Sequence, residues 1–466
     1  MNERPKSAAS LTILCKVVDN FGDIGFVYRL AKNLVQLNPQ REIRIAVDNL
    51  AAFNKIESRV DPGLAEQELE VVCADCRQDQ DCAAKAGNEG KPKTAAETKS
   101  VDKPKTGGRL RIFDATNAAV CAREWTKKPA RVILECFQCG RPDWLEELLF
   151  PHEDCLQTKN APPRALIVNI DYLTAEDYAE EFHCLKSGTR SPLVRKVNFM
   201  PGFTAKTGGL ILDAAATNNY LQAKDCAGQV GIVGKTITAG AAETGSKTKT
   251  APVTENGFLT KTAGPQILMF SYPKDFAPII RAILRWNKAA QVNLAQGAGK
   301  ESFLAANENC LQDSCKPKTA GGLFVRELPF LSQEEWDKNL YAQDLLFVRG
   351  EDSLSRACLS GKPFVWQAYL QDDNYQLVKV RALLARMRPH FAPEDFAALE
   401  NFWLLYNGAE SSGKPKTAGA AMEEACYGFL ERSDKMKAGF EAFARSLFEL
   451  GNFAQKLDEF VAEWAN

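Results

Sequence analysis

Histidine is scarce in this chain, with only three residues among 466. They are His152, His183 and His390, and they are too far apart in the sequence to share a motif. Histidine is the side chain most often used for proton transfer near neutral pH. We therefore expect any acid–base chemistry of this protein to depend on carboxylates.

Long apolar segments are also missing. No run approaches the roughly 20 apolar residues that a membrane-spanning helix needs. Residues 1–10 are polar, and the eight-residue apolar run that follows them is too short for a secretory signal. A charge excess is missing as well, because 58 lysines and arginines face 59 aspartates and glutamates, for a net charge of −1. These absences predict a soluble, cytoplasmic protein that binds neither membranes nor nucleic acid.

Cysteine is plentiful, with 14 residues, but its spacing does not favour a metal site. Two CxxC pairs occur, Cys73/Cys76 and Cys136/Cys139, with Cys82 near the first pair. A structural zinc site needs four ligands at compact spacing, whereas these pairs are about 60 residues apart and the second lies in a strand-like run. We expect reduced, scattered thiols and no bound metal.

Strand-like and helix-like segments alternate along the chain, which is typical of the α/β class. Apolar runs at residues 11–18, 42–47, 131–137 and 165–173 read as strands, and the segments between them include helical periodicity. A second series of such strands begins near Gln266. This alternation predicts parallel sheets with crossover helices in two α/β halves.

Composition divides the chain into three parts. Residues 1–210 are predicted to form an N-terminal Rossmann-like domain, interrupted at about 79–108 by a flexible insertion with few apolar residues. Residues 211–265 are an insertion or linker. Residues 266–466 are predicted to form a C-terminal Rossmann-like domain with a helical segment from about Met422 to the end.

One short motif, Lys-Pro-Lys-Thr, occurs four times in the sequence. The copies lie at residues 91–94, 103–106, 316–319 and 414–417, and their spacing is irregular, which argues against a solenoid repeat. We interpret them as flexible basic insertions in surface loops, with loose contact to an acidic partner as the alternative.

Two acids and two glycines stand where the first strand turns into the first helix. Asp19 and Asp23 are four residues apart, across a turn that also contains Gly22 and Gly25. Ligands of open α/β sheets bind at the carboxyl ends of the strands, so both carboxylates can face one pocket. The alternative is structural, with Asp19 capping the helix and Asp23 exposed to solvent in its first turn.

A second turn, in the C-terminal half, repeats this layout. The strand that ends at Arg349 is followed by Gly350 and then by Glu351, Asp352 and Ser353 before a helix begins. The free N–H groups of that helix, the Ser353 hydroxyl and the Arg349 guanidinium are suited to bind an anion such as phosphate. Glu351 and Asp352 would repel phosphate unless they point elsewhere. The alternative is therefore two capping acids.

Five sequence motifs are distributed in order over most of the chain. They are VDNFGDIG at 18–25, LECF at 134–137, FMPGFTAKTGGL at 199–210, RGEDS at 349–353 and GKPFVWQ at 361–367. Together they resemble the bacterial protein-arginine rhamnosyltransferases that modify translation elongation factor P, the EarP family. The Lys-Pro-Lys-Thr insertions depart from the family pattern but lie between the motifs.

The resemblance implies a GT-B glycosyltransferase, in which two Rossmann-like domains face a central cleft and the C-terminal one holds most of the nucleotide sugar. It implies dTDP-β-L-rhamnose as the donor and one arginine of elongation factor P as the acceptor. It also implies inversion at the anomeric carbon and no metal or other cofactor. The alternatives are a GT-B transferase with another nucleotide sugar or acceptor, and a non-catalytic protein that binds the elongation factor.

The resemblance also implies roles for individual residues. Asp23 is expected to be the general base, and Asp19 is expected to orient the acceptor guanidinium. Phe203 and Trp336 could instead be core aromatics. The expected substrate-binding residues are Asn20, Phe21, Gly22, Phe203, Gln333, Trp336, Arg349, Glu351, Asp352, Ser353 and Tyr369, of which Phe203, Gln333, Trp336 and Tyr369 line the nucleotide–sugar pocket.

Overall fold

The structure is a computed structural model, which describes residues 10–18, 21–71, 107–151, 164–230, 264–286, 288–312, 323–410 and 418–465. The four Lys-Pro-Lys-Thr copies, the Cys73/Cys76 pair with Cys82, and the neighbours Asp19 and Asn20 lie outside these residues. None of the described helices is both long enough and apolar enough to cross a membrane. The cytoplasmic location and the lack of nucleic-acid binding stay predictions.

The first lobe is built on an eight-stranded sheet. Its strands lie in the order β3-β4-β2-β1-β5-β6-β8-β7, and all neighbours are parallel except for the pairs β3–β4 and β7–β8 at the two edges. The strands are β1 (Leu11–Cys15), β2 (Ile43–Val47), β3 (Glu66–Val71), β4 (Gly108–Asp114), β5 (Val132–Cys136), β6 (Ala165–Ile170), β7 (Lys186–Ser187) and β8 (Val194–Asn198).

Helices cover both faces of this sheet. In the first helix Val27, Leu30, Ala31 and Leu34 are fully buried, because their spacing places them on one face. This helix begins at Gly22, four residues earlier than the apolar pattern indicates. The helices of this lobe are α1 (Gly22–Leu37), α2 (Leu50–Ile56), α3 (Ala118–Lys127), α4 (Asp143–Leu149) and α5 (Tyr178–Phe182).

A connecting helix, α6 (Ala214–Val230), follows the first lobe. It begins after Asp213, whose carboxylate accepts a hydrogen bond of 3.0 Å from the N–H of Ala216. Its contacts are with helices of the second lobe. The first part of the predicted insertion or linker over 211–265 is thus helical, and its role as a linker stays a prediction.

The second lobe is built on a five-stranded parallel sheet in the order β11-β10-β9-β12-β13. The strands are β9 (Gln266–Met269), β10 (Gln291–Leu294), β11 (Phe324–Glu327), β12 (Leu345–Arg349) and β13 (Phe364–Gln367). The later helices are α7 (Ala277–Trp286), α8 (Lys300–Gln312), α9 (Gln333–Ala342), α10 (Glu351–Ser360), α11 (Tyr375–Met387), α12 (Pro393–Tyr406), α13 (Ala418–Glu449) and α14 (Phe453–Ala465).

The helix α9 begins at a capping box. Ser332 is its N-cap, and its hydroxyl accepts from the N–H of Glu335 at 3.4 Å. The Glu335 carboxylate in turn accepts from the N–H of Ser332 at 2.9 Å, which completes the capping box. The cap fixes the start of the helix that carries Gln333 and Trp336.

The last helix, α14, packs in the core of the first lobe. Phe453, Leu457 and Val461 are buried there among the residues of the first sheet. The prediction that all terminal helices belong to the domain at 266–466 is wrong for this one. The helical pattern shows which face of α14 is apolar, but it does not show which lobe that face covers.

The glycine-rich loop of the first lobe receives this returning helix. A side chain at Gly208 would place its Cβ 2.7 Å from the ring of Phe453, so only glycine fits there. The N–H of Phe453 donates to the carbonyl of Leu210 at 2.8 Å. The motif at 206–210 thus holds the chain where it crosses back, and two parallel-rich α/β lobes face a cleft. The predicted α/β class with two facing lobes is confirmed.

Candidate active site

A cavity of about 380 Å³ lies between the lobes, at the carboxyl ends of β1 and β12. Ligand pockets have volumes of roughly 300–1,000 Å³, so this cavity has the size of a small-molecule binding site. Both predicted strand-to-helix turns contribute to its walls. The predicted residues that line it are Phe21, Gly22, Gln333, Trp336, Arg349, Glu351, Asp352 and Ser353.

The Arg349 guanidinium is a buried cation in the cavity wall. Its central carbon lies 4.5 Å from the ring centres of both Phe270 and Tyr272. Among the described residues no carboxylate forms a salt bridge with Arg349, and its Nε lacks a hydrogen-bond partner. Burying a cation without an anion is costly, so this side chain is placed to receive an anionic ligand.

The turn after Arg349 presents the start of α10 to the same cavity. Gly350 has φ of 70°, a conformation that favours glycine, and it offers no side chain to cap the helix. The N–H groups of Asp352 and Ser353 and the Ser353 hydroxyl therefore lie at an uncapped helix N-terminus. The Asp352 carboxylate is bonded to Arg29 instead of capping the helix, so the capping alternative is wrong for Asp352.

Asp23 is buried in the first turn of α1, with 2% of its surface exposed. One of its oxygens accepts from the N–H of Val18 at 2.8 Å, and the other accepts from the Tyr172 hydroxyl at 3.3 Å. The alternative of a solvent-exposed acid is therefore wrong. Asp23 lines a smaller cavity that shares Gly22 and Glu351 with the large one, so the two cavities adjoin.

Tyr172 is a site residue that the sequence reading missed. Its ring stacks on Phe137 with 4.5 Å between ring centres, which directs its hydroxyl to Asp23. Burial and then the negative charges of Asp23 and Glu351 raise the pKa of the Tyr172 phenol well above its ordinary value. The phenol therefore stays protonated and donates to the carboxylate. A weak signal existed, since Tyr172 follows the carboxyl end of β6, two strands from β1.

Gln333 and Trp336 place an amide and an aromatic ring on the second-lobe wall. The Gln333 amide nitrogen donates to the carbonyl of Gly25 at 2.7 Å, across the lobes, while its buried Oε1 has no hydrogen-bond partner within the described part of the chain. The Trp336 ring meets Phe270 edge-on at 4.9 Å between ring centres and lines the cavity. Trp336 also packs against the second-lobe core, so it is both a cavity-lining residue and a core contact.

Two of the predicted pocket residues lie elsewhere. Phe203 is buried in the second-lobe core, where its ring stacks at 6.4 Å on Phe443, so its placement in the pocket is corrected to a core aromatic. Tyr369 is 60% exposed and lies beside the cavity, where its ring meets Tyr272 at 5.6 Å. Asp19 and Asn20 lie outside the described residues.

The second CxxC pair is buried beside this site. Cys136 and Cys139 are free thiols at the end of β5, and burial raises the pKa of Cys139 to about 12. In the part of the chain that the structure describes, His, Cys, Asp and Glu form no group of three that could hold a metal ion. The predicted absence of a metal remains a prediction.

Comparison with known proteins points to one family. The model of the family described as "Elongation-Factor P (EF-P) rhamnosyltransferase EarP" matches residues 11–90 and 101–462. A protein-arginine rhamnosyltransferase of Pseudomonas putida is 28% identical over 86% of this chain and 87% of its own length. The Pseudomonas aeruginosa protein of the same name is 26% identical over 98% of this chain and 100% of its own.

Among solved structures, the chain is similar to one described as the structural basis for EarP-mediated arginine glycosylation of translation elongation factor EF-P. The identity is 18% and the TM-score is 0.49, with 98% of this chain and 99% of that chain covered.

Proposed function

The chain belongs to the EarP family of elongation factor P rhamnosyltransferases, and we propose that it transfers L-rhamnose from dTDP-β-L-rhamnose to an arginine side chain of elongation factor P. It is a glycosyltransferase, and its two facing α/β lobes have the GT-B architecture. One observation carries the proposal: a buried arginine, Arg349, which forms no salt bridge with any described residue, stands across a shared cleft from a buried acid, Asp23. Because translation takes place in the cytoplasm, the proposal places the enzyme there.

The donor diphosphate is proposed to bind at the second-lobe turn. The Arg349 guanidinium can donate two parallel hydrogen bonds to a phosphate, which a point charge cannot do. The N–H groups at the start of α10 and the Ser353 hydroxyl supply further donors. Near them, the ring of Trp336 offers a surface for the base, and the unpartnered Oε1 of Gln333 can accept a base N–H.

The acceptor arginine is proposed to bind beside Asp23. A guanidinium stays protonated in water, so its nitrogen is a poor nucleophile until a proton is removed. The Asp23 carboxylate can bind the guanidinium and accept that proton as the new bond forms. The Tyr172 hydroxyl donates to one oxygen of Asp23 and the N–H of Val18 donates to the other, so the carboxylate is held in place. Asp19 is proposed to orient the guanidinium from the other end of the turn.

The proposed reaction is one inverting displacement. An acceptor nitrogen forms a bond to the anomeric carbon of rhamnose while the bond from that carbon to the diphosphate oxygen breaks. The proton of the attacking nitrogen goes to Asp23, and the electron pair leaves with dTDP. Arg349 and the N–H groups of α10 are proposed to stabilise the leaving charge, with no metal or other cofactor required. The Glu351 carboxylate is proposed to accept a hydrogen bond from a hydroxyl of the sugar.

Mass spectrometry of elongation factor P tests this proposal. The purified factor is incubated with dTDP-β-L-rhamnose and this protein in buffer that contains a metal chelator. We expect one deoxyhexose on a single arginine. Transfer only from another nucleotide sugar would favour a GT-B enzyme with a different donor, and binding of the factor without any transfer would favour a non-catalytic role.

Replacing Tyr172 with phenylalanine is expected to lower kcat about tenfold, since a hydrogen bond to a charged group is lost. The matched control is Tyr28→Phe, which removes a buried hydroxyl that donates to Glu57 at 2.6 Å on the same lobe. A wild-type kcat in Tyr172→Phe would contradict the role given to Tyr172.

A further inference from the structure

A group of buried charges joins the two lobes behind the cavity. It consists of Arg29 on α1, Asp213 before α6, Asp337 on α9, and Asp352 and Arg356 on α10, and it is called the Arg29 cluster below. Arg29 is 1% exposed, Arg356 0% and Asp337 3%. Ionic groups buried to this degree are costly unless they are paired with opposite charges.

All N–H donors of the Arg29 guanidinium form hydrogen bonds within this cluster. Its Nε and Nη2 donate to the two oxygens of Asp352 at 2.9 and 3.0 Å. Its Nη1 and Nη2 donate to the two oxygens of Asp337 at 2.6 and 3.0 Å, and Nη1 also bonds Asp213. Four of the five N–H donors of this flat fork thus pair with two carboxylates edge-on and the fifth bonds a third carboxylate, a geometry that lysine cannot reproduce.

The cluster connects the two halves of the proposed site. Arg29 lies on the helix whose first turn carries Asp23. Asp352 lies in the turn that carries Ser353 and lines the large cavity. The bidentate bond between Arg29 and Asp352 therefore fixes the acid-bearing helix of one lobe against the phosphate-binding turn of the other.

We propose that Arg29 is a positioning residue that holds the phosphate-binding turn in register with Asp23 and neutralises Asp352 so that this turn can accept a diphosphate. The inference rests on the proposed function of the turn. It answers the objection that acids beside an anion site repel the anion, because the charge of Asp352 is directed to Arg29.

The electrostatics of the cluster agree with this role. Burial alone would raise the pKa of Asp352, but the charge and hydrogen bonds of Arg29 bring that pKa below its ordinary value. Asp352 is therefore ionised and paired. Without Arg29, the negative charge of Asp352 would face the donor diphosphate from within the same turn. This repulsion would weaken dTDP binding and disturb the alignment of the turn with Asp23.

The test measures dTDP affinity by calorimetry together with kcat and Tm in Arg29→Lys. We expect dTDP to bind about tenfold more weakly and kcat to fall by a similar factor, because the fork and its two bidentate pairs are lost. The control is Arg41→Lys, which alters a buried arginine paired with Asp458 on α14, away from the cavity. It should lower Tm comparably without changing dTDP affinity.

A milder variant covers the case in which Arg29→Lys does not fold. Asp337 does not line the large cavity, so an effect of Asp337→Asn on dTDP affinity must pass through Arg29. We expect a loss of about threefold in this isosteric variant. A double variant with Asp352→Asn should show a less than additive effect, since both changes affect one network.

The outcomes separate this inference from the proposed function. Wild-type protein that binds dTDP, with unchanged affinity and kcat in Arg29→Lys or Asp337→Asn, would overturn the positioning role and leave the cluster purely structural. Wild-type protein that does not bind dTDP would overturn the proposed function and this inference together.

Discussion

Replacing Asp23 with asparagine or alanine is expected to abolish rhamnosyl transfer and leave the affinity for dTDP nearly unchanged. A positioned general base contributes about 10²- to 10⁴-fold to a rate. The loss should appear in kcat, because the proton leaves the guanidinium only as the transition state forms. The proposed dTDP site lies on the other lobe, so we expect donor binding not to depend on the Asp23 charge.

Single-turnover kinetics with saturating donor and calorimetry with dTDP check this prediction. The matched control is Asp48→Asn, since Asp48 accepts from the N–H of Val17 at 2.8 Å much as Asp23 accepts from Val18. The control separates loss of a base from loss of support for the loop after β1. A near-normal rate in Asp23→Asn would remove Asp23 as the base.

Replacing Arg349 with methionine is expected to weaken dTDP binding about 100-fold. Each hydrogen bond between charged groups contributes about 1.5–3 kcal/mol, and two such bonds are lost with the guanidinium. Arg349→Lys should be intermediate, because it keeps the charge but loses the fork and its packing on Phe270 and Tyr272. Ser353→Ala should weaken binding less, by up to about tenfold, since a neutral hydrogen bond is lost.

Calorimetry with dTDP measures all three variants. The matched control is Arg285→Met. Arg285 also lies over an aromatic ring of the second lobe, 3.9 Å from the centre of Tyr427. It contacts α13 and lies far from the cleft. Its substitution should leave dTDP affinity unchanged. Equal affinity of wild type and Arg349→Met for dTDP would contradict the phosphate role of Arg349.

The two strand-to-helix turns could be predicted from the sequence because their chemistry is local. Asp23 and Gly22 follow one apolar strand, and Arg349, Gly350 and Ser353 follow another. Parallel strands bring their carboxyl ends to one edge of a sheet, so the strand pattern alone predicts that each turn faces a ligand. The structure places both turns on the walls of one cleft.

The remaining features depend on contacts between distant parts of the chain. Tyr172 bonds Asp23 across 149 residues, and Arg29 bonds Asp337 across 308. No periodicity or local spacing relates such pairs. Phe203 was misplaced for the same reason, since an aromatic in a glycine-rich loop can face a ligand or a core. The return of α14 to the first lobe likewise depends on tertiary packing rather than on its helical pattern.

The central claim is that one lobe holds the leaving diphosphate while an acid of the other lobe removes the acceptor proton. A crystal structure with dTDP bound tests it most directly. The account predicts the diphosphate between the Arg349 guanidinium and the N–H groups of Asp352 and Ser353, with its terminal phosphate directed toward Asp23. A nucleotide bound away from both turns would contradict the account.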